Sequence, residues 1–318
     1  MQDLLPIVTS VLGVFLVIGL GAFCRRRGWL TSEADNSLAS LAANVFLPAY
    51  FIHKILSSDQ FESILDSWMP PAFGFAATAV GFGIAFVFAR TLGPTVGLDT
   101  DAKQRAFALC AGICNYGYIP LPLTEQFYPE SLVDLILHNV GVELALWSIG
   151  IVIVAGKAGG GWIKVVASPP FLAVVFAVTM RELSWEGFVP QSILSAVGAV
   201  GNCAIPMGLI LSGAIIVDFI RESRWKGASG TIFAAIGIRQ LLLPVLMLTA
   251  AGSLADSDSM KQIMMLQAAM PVAVFPIVLV RLYGRDTETA LRVVLSTSLA
   301  ALVLIPTWLA IGKWWLGI

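Results

Sequence analysis

Two Asn-x-x-x-Pro segments, Asn44 to Pro48 and Asn202 to Pro206, stand 158 residues apart in a chain of 318. Each lies inside a long apolar run, where a proline removes one amide donor and an asparagine can satisfy a carbonyl left without a partner. A second matched set is richer in chemistry. Asn115, Tyr116, Gly117 and Pro120 share one apolar run, and Gln267, Pro271 and Pro276 share another. Asn115 to Pro271 and Pro120 to Pro276 are both separated by 156 residues. Prolines and a glycine so placed break a helix, and the freed amides and carbonyls can bind ions and anionic groups. The plainer alternative is a pair of packing kinks. Two charges complete the set, Glu143 and Arg239, each inside an apolar run with an amide beside it, Asn139 and Gln240. A charge at the bilayer centre costs about 2.5–3.5 kcal/mol on insertion scales, so each needs a partner or a wet cavity. A guanidinium can grip a substrate carboxylate in a bidentate manner, with Glu143 holding it or exchanging with it. Alternatively Glu143 and Arg239 neutralise one another as a structural pair.

The elements that must hold these residues are membrane spans. Apolar residues make up 58% of the chain, charged residues 12%, and the mean hydropathy is +0.86. An all-α polytopic membrane protein follows, because runs of about 20 apolar residues can cross the hydrocarbon core as helices. Ten such runs are predicted: Leu4 to Cys24, Leu38 to Leu56, Ala72 to Leu92, Phe107 to Phe127, Leu132 to Ala155, Trp162 to Met180, Ile193 to Ile220, Thr231 to Leu254, Ile263 to Leu282 and Ala290 to Leu309. They are too long and too uniformly apolar for barrel strands. The first run is expected to be a retained helix and not a signal peptide, since no basic segment precedes it.

Fourteen of the nineteen Lys and Arg residues fall on alternate connections, beginning with Arg25, Arg26 and Arg27. Four fall on the other side (Lys54, Arg181, Lys261, Lys313), and Arg239 alone lies within a span. The positive-inside bias then puts the rich loops in the cytoplasm and both termini outside. Nothing suggests nucleic acid, and the four cysteines read as small packing residues. His138 and Asp134 form an i, i+4 pair, with His138 read as a hydrogen-bonded residue near the outer surface.

Five spans per half, 1–158 and 159–318, force the second copy to enter the membrane inverted. Inverted repeats with broken spans are a common architecture of secondary transporters. A passive channel and a membrane-embedded enzyme compete, although the chain has two histidines, His53 and His138, and no HExxH or GxSxG-type motif.

The ordered series Asn44-Val45-Phe46-Leu47-Pro48-Ala49, the Asn115-x-Gly117 proline segment, Ala204 to Ala214, Ala268-Ala269-Met270-Pro271 before Tyr283-Gly284, and Leu295 to Leu299 with Pro306 resembles the auxin efflux carrier family in its bacterial branch. The resemblance covers essentially the whole chain. It implies the ten-helix fold shared with bile acid/sodium symporters, with spans 1, 2, 6 and 7 as scaffold. Spans 3–5 and 8–10 would form a mobile transport domain whose broken spans 4 and 9 cross. It further implies carriage of a small organic anion such as malate, malonate or an auxin-like acid by an elevator movement. Possible Na⁺ or H⁺ coupling, no other cofactor, and a homodimer through the scaffold helices belong to the same expectation. The chain departs from the family at Pro120, where glycine is frequent, and at Asn115-Tyr116-Gly117, where plant members carry Asn-Pro-Asn. Plant substrate contacts therefore carry over at Asn115 alone.

Overall fold

The structure, a computed structural model, describes residues 4–58, 68–156, 167–222 and 228–318. Thirteen helices are described: α1 (Leu4–Arg26), α2 (Ala34–Leu56), α3 (Met69–Thr91), α4 (Asp101–Gly112), α5 (Pro120–Phe127), α6 (Pro129–Ala155), α7 (Pro169–Glu182), α8 (Gln191–Gly201), α9 (Ala204–Glu222), α10 (Ser229–Leu254), α11 (Asp258–Ala269), α12 (Pro276–Leu282) and α13 (Thr287–Leu316). Among the described residues the only extended pairing is one antiparallel bridge, Cys114 with Val272.

Seven helical stretches are long and apolar enough to cross a membrane, α8 and α9 counting as one. Three of the ten predicted runs fall short of that test for identifiable reasons. The runs at Phe107 and Ile263 are each split into two short helices by their prolines, and residues 162–166 of the run at Trp162 lie outside the described residues. The run at Ile193 is also interrupted, at Asn202–Cys203, because Pro206 has no N–H to give and is accommodated in the first turn of α9. Pro120 and Pro276 likewise occupy the first position of their helices.

The two split helices begin alike. Thr100 accepts the amide of Lys103 at the start of α4, and Ser257 accepts the amide of Met260 at the start of α11, 157 residues later. These are side-chain caps on otherwise unpaired amides.

Helices α1, α2, α7, α8 and α9 pack mainly on one another, as do α3–α6 with α10–α13. Close approach within the second set rests on glycine. A Cβ on Gly141 would sit 1.9 Å from the Pro71 carbonyl oxygen, and one on Gly74 would sit 2.1 Å from that of His138, so α3 and α6 touch backbone to backbone. Arg25 at the end of α1 is buried and pairs with Asp35 of α2 and, at 3.1 Å, with Asp218 of α9. Lys54 of α2 reaches across to Glu125 of α5 at 2.7 Å.

Candidate functional site

Three π-helical turns interrupt the long helices, at Ala42–Phe46 in α2, Leu146–Gly150 in α6 and Gly237–Leu242 in α10. Such turns are recurrent at functional positions. Two of them precede a proline closely. Pro48 follows the first and Pro244 the last, and each leaves the carbonyl four residues earlier without its helical donor.

Those freed carbonyls explain the placement of several polar residues. Pro244 frees the carbonyl of Gln240, and the indole of Trp308 donates to it at 2.7 Å. Pro271 leaves the carbonyl of Gln267 without the amide four residues on, and Nη2 of Arg239 donates to it at 2.9 Å while Nε donates to the Met270 carbonyl at 3.1 Å. Pro120 leaves the carbonyl of Tyr116 free, and the side-chain amide of Gln267 donates to it at 3.2 Å. The same amide nitrogen donates to Oδ1 of Asn139 at 3.3 Å, and the Cys114 thiol donates to the Gln267 carbonyl-type Oε1 at 3.1 Å. Gln267 is fully buried, so one side chain ties the first break to the second and to α6. Between the breaks the backbone adds its own link, the Asn115 amide donating to the Pro271 carbonyl at 2.7 Å.

Both breaks open onto one cavity of about 310 Å³. Its polar lining is Asn44 from α2, Asn115, Tyr116 and Tyr118 from the first break, Asn139 and Glu143 from α6, and serines 168 and 212. Gly117 and Ala273–Phe275 also line it, and Phe51, Trp147 and Phe171 add aromatic wall. Trp147 and Phe275 pack with ring centroids 6.1 Å apart, and Tyr118 lies against bare Gly208 of α9, where a Cβ would meet its ring at 1.9 Å. Tyr116, Gly117 and Val274 line the cavity, and among the described residues their amides donate to no backbone carbonyl. The Tyr116 hydroxyl donates to Oε1 of Glu143 at 3.4 Å.

Of the residues singled out from sequence, Asn115, Tyr116, Gly117, Asn139 and Glu143 are brought together on this cavity. Pro120, Gln267, Pro271 and Pro276 shape the breaks without lining it. Arg239 does not line it either. Its guanidinium is occupied by the carbonyls at the end of α11, and among the described residues no ion pair joins it to Glu143. The alternative of a structural charge pair is therefore not seen among the described residues, because Pro271, just beyond α11, leaves the Gln267 carbonyl as a partner for Arg239. Gln240 contributes its backbone carbonyl to Trp308, and its side-chain amide is buried without a partner. His138 is buried against α3 with neither ring nitrogen in hydrogen-bonding geometry, and Asp134 accepts instead from Ser259 at 2.5 Å, so the expected His138–Asp134 pair is also absent. Asn44 does not reach a freed carbonyl. Its amide donates to Ser40 Oγ at 3.0 Å and the residue faces the cavity. Asn202 terminates α8 and is exposed.

Trp147, Tyr118, Phe171 and Ser212 were not expected at a site. The available signals were the π turn holding Trp147 and the Gly208-to-Ser212 segment of the motif around Pro206.

The model of a family described as membrane transport protein matches this sequence twice, over residues 6–161 and 158–309. An uncharacterized transporter of Methanothermobacter thermautotrophicus is 24% identical over 303 residues, covering 94% of this chain and 96% of that protein. Another, from Methanocaldococcus jannaschii, is 21% identical over 309 residues, with the same coverage of 94% and 96%.

Proposed function

The chain belongs to the membrane transport protein family, that of the auxin efflux carriers, and on that premise we propose that it is a secondary active carrier of a small organic anion. The observation that carries this reading is the pair of helix breaks, hydrogen-bonded to each other through Asn115 and Pro271 and sharing one cavity. Non-helical backbone at membrane depth is tolerated where it lines a cavity or is buried in protein.

Ten crossings arise if each split helix and α7 are counted with the long ones. The double match of the family model and the spacing of caps and prolines by 156 or 157 residues support two five-helix units, the second inverted. The preferential packing of α1, α2 and α7–α9 on one side and α3–α6 with α10–α13 on the other supports a scaffold and a moving body. Alternating access then consists of the second set, with both breaks, sliding past the first. Lys54–Glu125 and Tyr118 on Gly208 are contacts that such a movement must remake.

Substrate contact falls to Asn115, Tyr116, Gly117, Asn139 and Glu143. Arg239, Gln267, Gln240 and the three break prolines Pro120, Pro271 and Pro276 are positioning residues. An anion in this cavity is met by peptide N–H groups and side-chain amides, in the manner of broken transporter helices, and not by a cation. The setting is a multi-pass protein of the bacterial inner membrane with both termini outside, assembled as a homodimer through α1, α2 and α7–α9.

The test is flux of radiolabelled malate, malonate and an aromatic carboxylate into proteoliposomes under separate Na⁺ and pH gradients. Saturable, counterflow-competent flux of one of them supports the carrier. Non-saturable flux without counterflow would mean a channel, and no flux of any acid would refute the substrate class.

A further inference from the structure

Resting on that carrier reading, we propose that Glu143 is a proton-binding site within the cavity and that each substrate anion crosses with one proton bound there. The cavity carries this carboxylate and, among the described residues lining it, no Lys, Arg or His. From its own helix the polar neighbour is Asn139, one turn earlier. From the first break come the hydroxyl of Tyr116, which donates to it, and Tyr118. The elements α2, α7 and α9 contribute only Asn44, Ser168 and Ser212, and the second break contributes Ala273–Phe275, none of them charged. Arg239 is turned to the carbonyls of Gln267 and Met270, and Asp134 is engaged by Ser259.

A metal cation fits this surrounding less well than a proton. Hard cations need a shell of several oxygens, and two that the site offers, Asn139 Oδ1 and the Tyr116 carbonyl, already accept from the Gln267 amide. A proton needs one carboxylate oxygen. Coupling follows from electrostatics: a substrate carboxylate about 6 Å from an ionised Glu143 would bind about 100-fold more weakly at an effective dielectric constant of about 20. The anion therefore loads on the protonated form. On the loading side an O–H bond forms at Glu143 with a proton from bulk water. On the far side the anion leaves, the O–H bond breaks and the proton passes to water. Through the Tyr116 hydroxyl this change is felt at the helix break itself.

Two measurements test the proposal. Dicyclohexylcarbodiimide reacts with protonated carboxyl groups in apolar surroundings, so mass spectrometry of the membrane-embedded protein should find Glu143 modified in a pH-dependent manner between about pH 5 and about pH 9. Absence of modification throughout that range would overturn the proposal without bearing on transport. In proteoliposomes with entrapped pyranine, an acid-outside gradient should accelerate net entry of radiolabelled malonate about tenfold or more, with dye acidification in step. Glu143→Gln should abolish both the acidification and the acceleration of entry by an acid-outside gradient. Glu143→Asp, which keeps the carboxyl, should retain coupling with a displaced pH dependence and guards against a folding defect. Gradient-driven accumulation in Glu143→Gln, or full replacement of the proton gradient by Na⁺ in the wild type, would refute the proposal. Failure of the wild type to move any acid would instead refute the carrier reading, with the labelling result still deciding Glu143.

Discussion

Arg239→Met tests the assignment of Arg239 as a support for the second break. The substitution keeps the volume and removes the guanidinium that donates to the carbonyls of Gln267 and Met270. Two hydrogen bonds from a charged group contribute roughly 1.5–3 kcal/mol each. Against this, the variant is relieved of burying a charge, a cost of about 2.5–3.5 kcal/mol on insertion scales. The Gln267 carbonyl also keeps a weaker bond from the Met270 amide at 3.3 Å, so only the Met270 carbonyl is stranded. The lost bonds outweigh the relief, and net destabilisation of about 1–3 kcal/mol is expected. Reversible unfolding in detergent micelles measures it. The informative step is the double-mutant cycle with Glu143→Gln. Arg239 and Glu143 share no contact and are linked only through Gln267 and Tyr116, so no compensation is expected and the double variant should be no more stable than Arg239→Met. If Glu143→Gln restored stability or transport to Arg239→Met, the two would be a charge pair after all and the geometry described above would be wrong.

Pro120→Ala and Pro276→Ala should leave insertion intact and reduce transport strongly, since alanine can restore a helical amide at each break; normal flux from both variants would reduce the breaks to ordinary kinks. Gly141→Val should fail to fold or lose several kcal/mol by thermal unfolding, because the new Cβ would sit 1.9 Å from the Pro71 carbonyl oxygen. A cysteine at Gly28 should be labelled by an impermeant maleimide only from the cytoplasm and one at Ser57 only from outside, and labelling of both from one face would end the inverted-repeat argument. At Asp101, partial burial pushes the carboxyl up, but hydrogen bonds and charge from Arg105 and Arg90 outweigh it and hold it below the usual carboxylate range. A depressed carboxylate stabilises the fold above its unfolded pKa, about 4, and loses that contribution as pH falls through the folded value. The stability gap between wild type and Asp101→Asn should therefore be constant near neutrality and close below about pH 4, and a gap unchanged in acid would refute the clamp of Asp101 by Arg90 and Arg105.

Much of the architecture was legible because membrane spans announce themselves by length and apolarity, and because proline marks where a helix must stop. Both split helices and the offset of the second from the first follow from Pro120, Pro271 and Pro276 alone. Their side-chain consequences were not legible. A proline in an apolar segment leaves a carbonyl that must find a donor, and the donor comes from wherever the fold brings one. Arg239 reaches the Gln267 carbonyl across 28 residues, Trp308 reaches that of Gln240 across 68, and Gln267 reaches that of Tyr116 across 151. Read one dimension at a time, Arg239 and Gln267 look like substrate ligands, since a polar residue inside a span is functional by default. Once the carbonyls of Gln267, Gln240 and Tyr116 have their donors, those two are spent on structure. What remains without such an obligation is Asn44, whose amide meets only Ser40, the peptide donors of the first break, and Glu143, held by one long bond from Tyr116. These remaining groups all line one cavity, so accounting for the prolines' carbonyls separates the residues that hold this protein together from those left to meet its cargo.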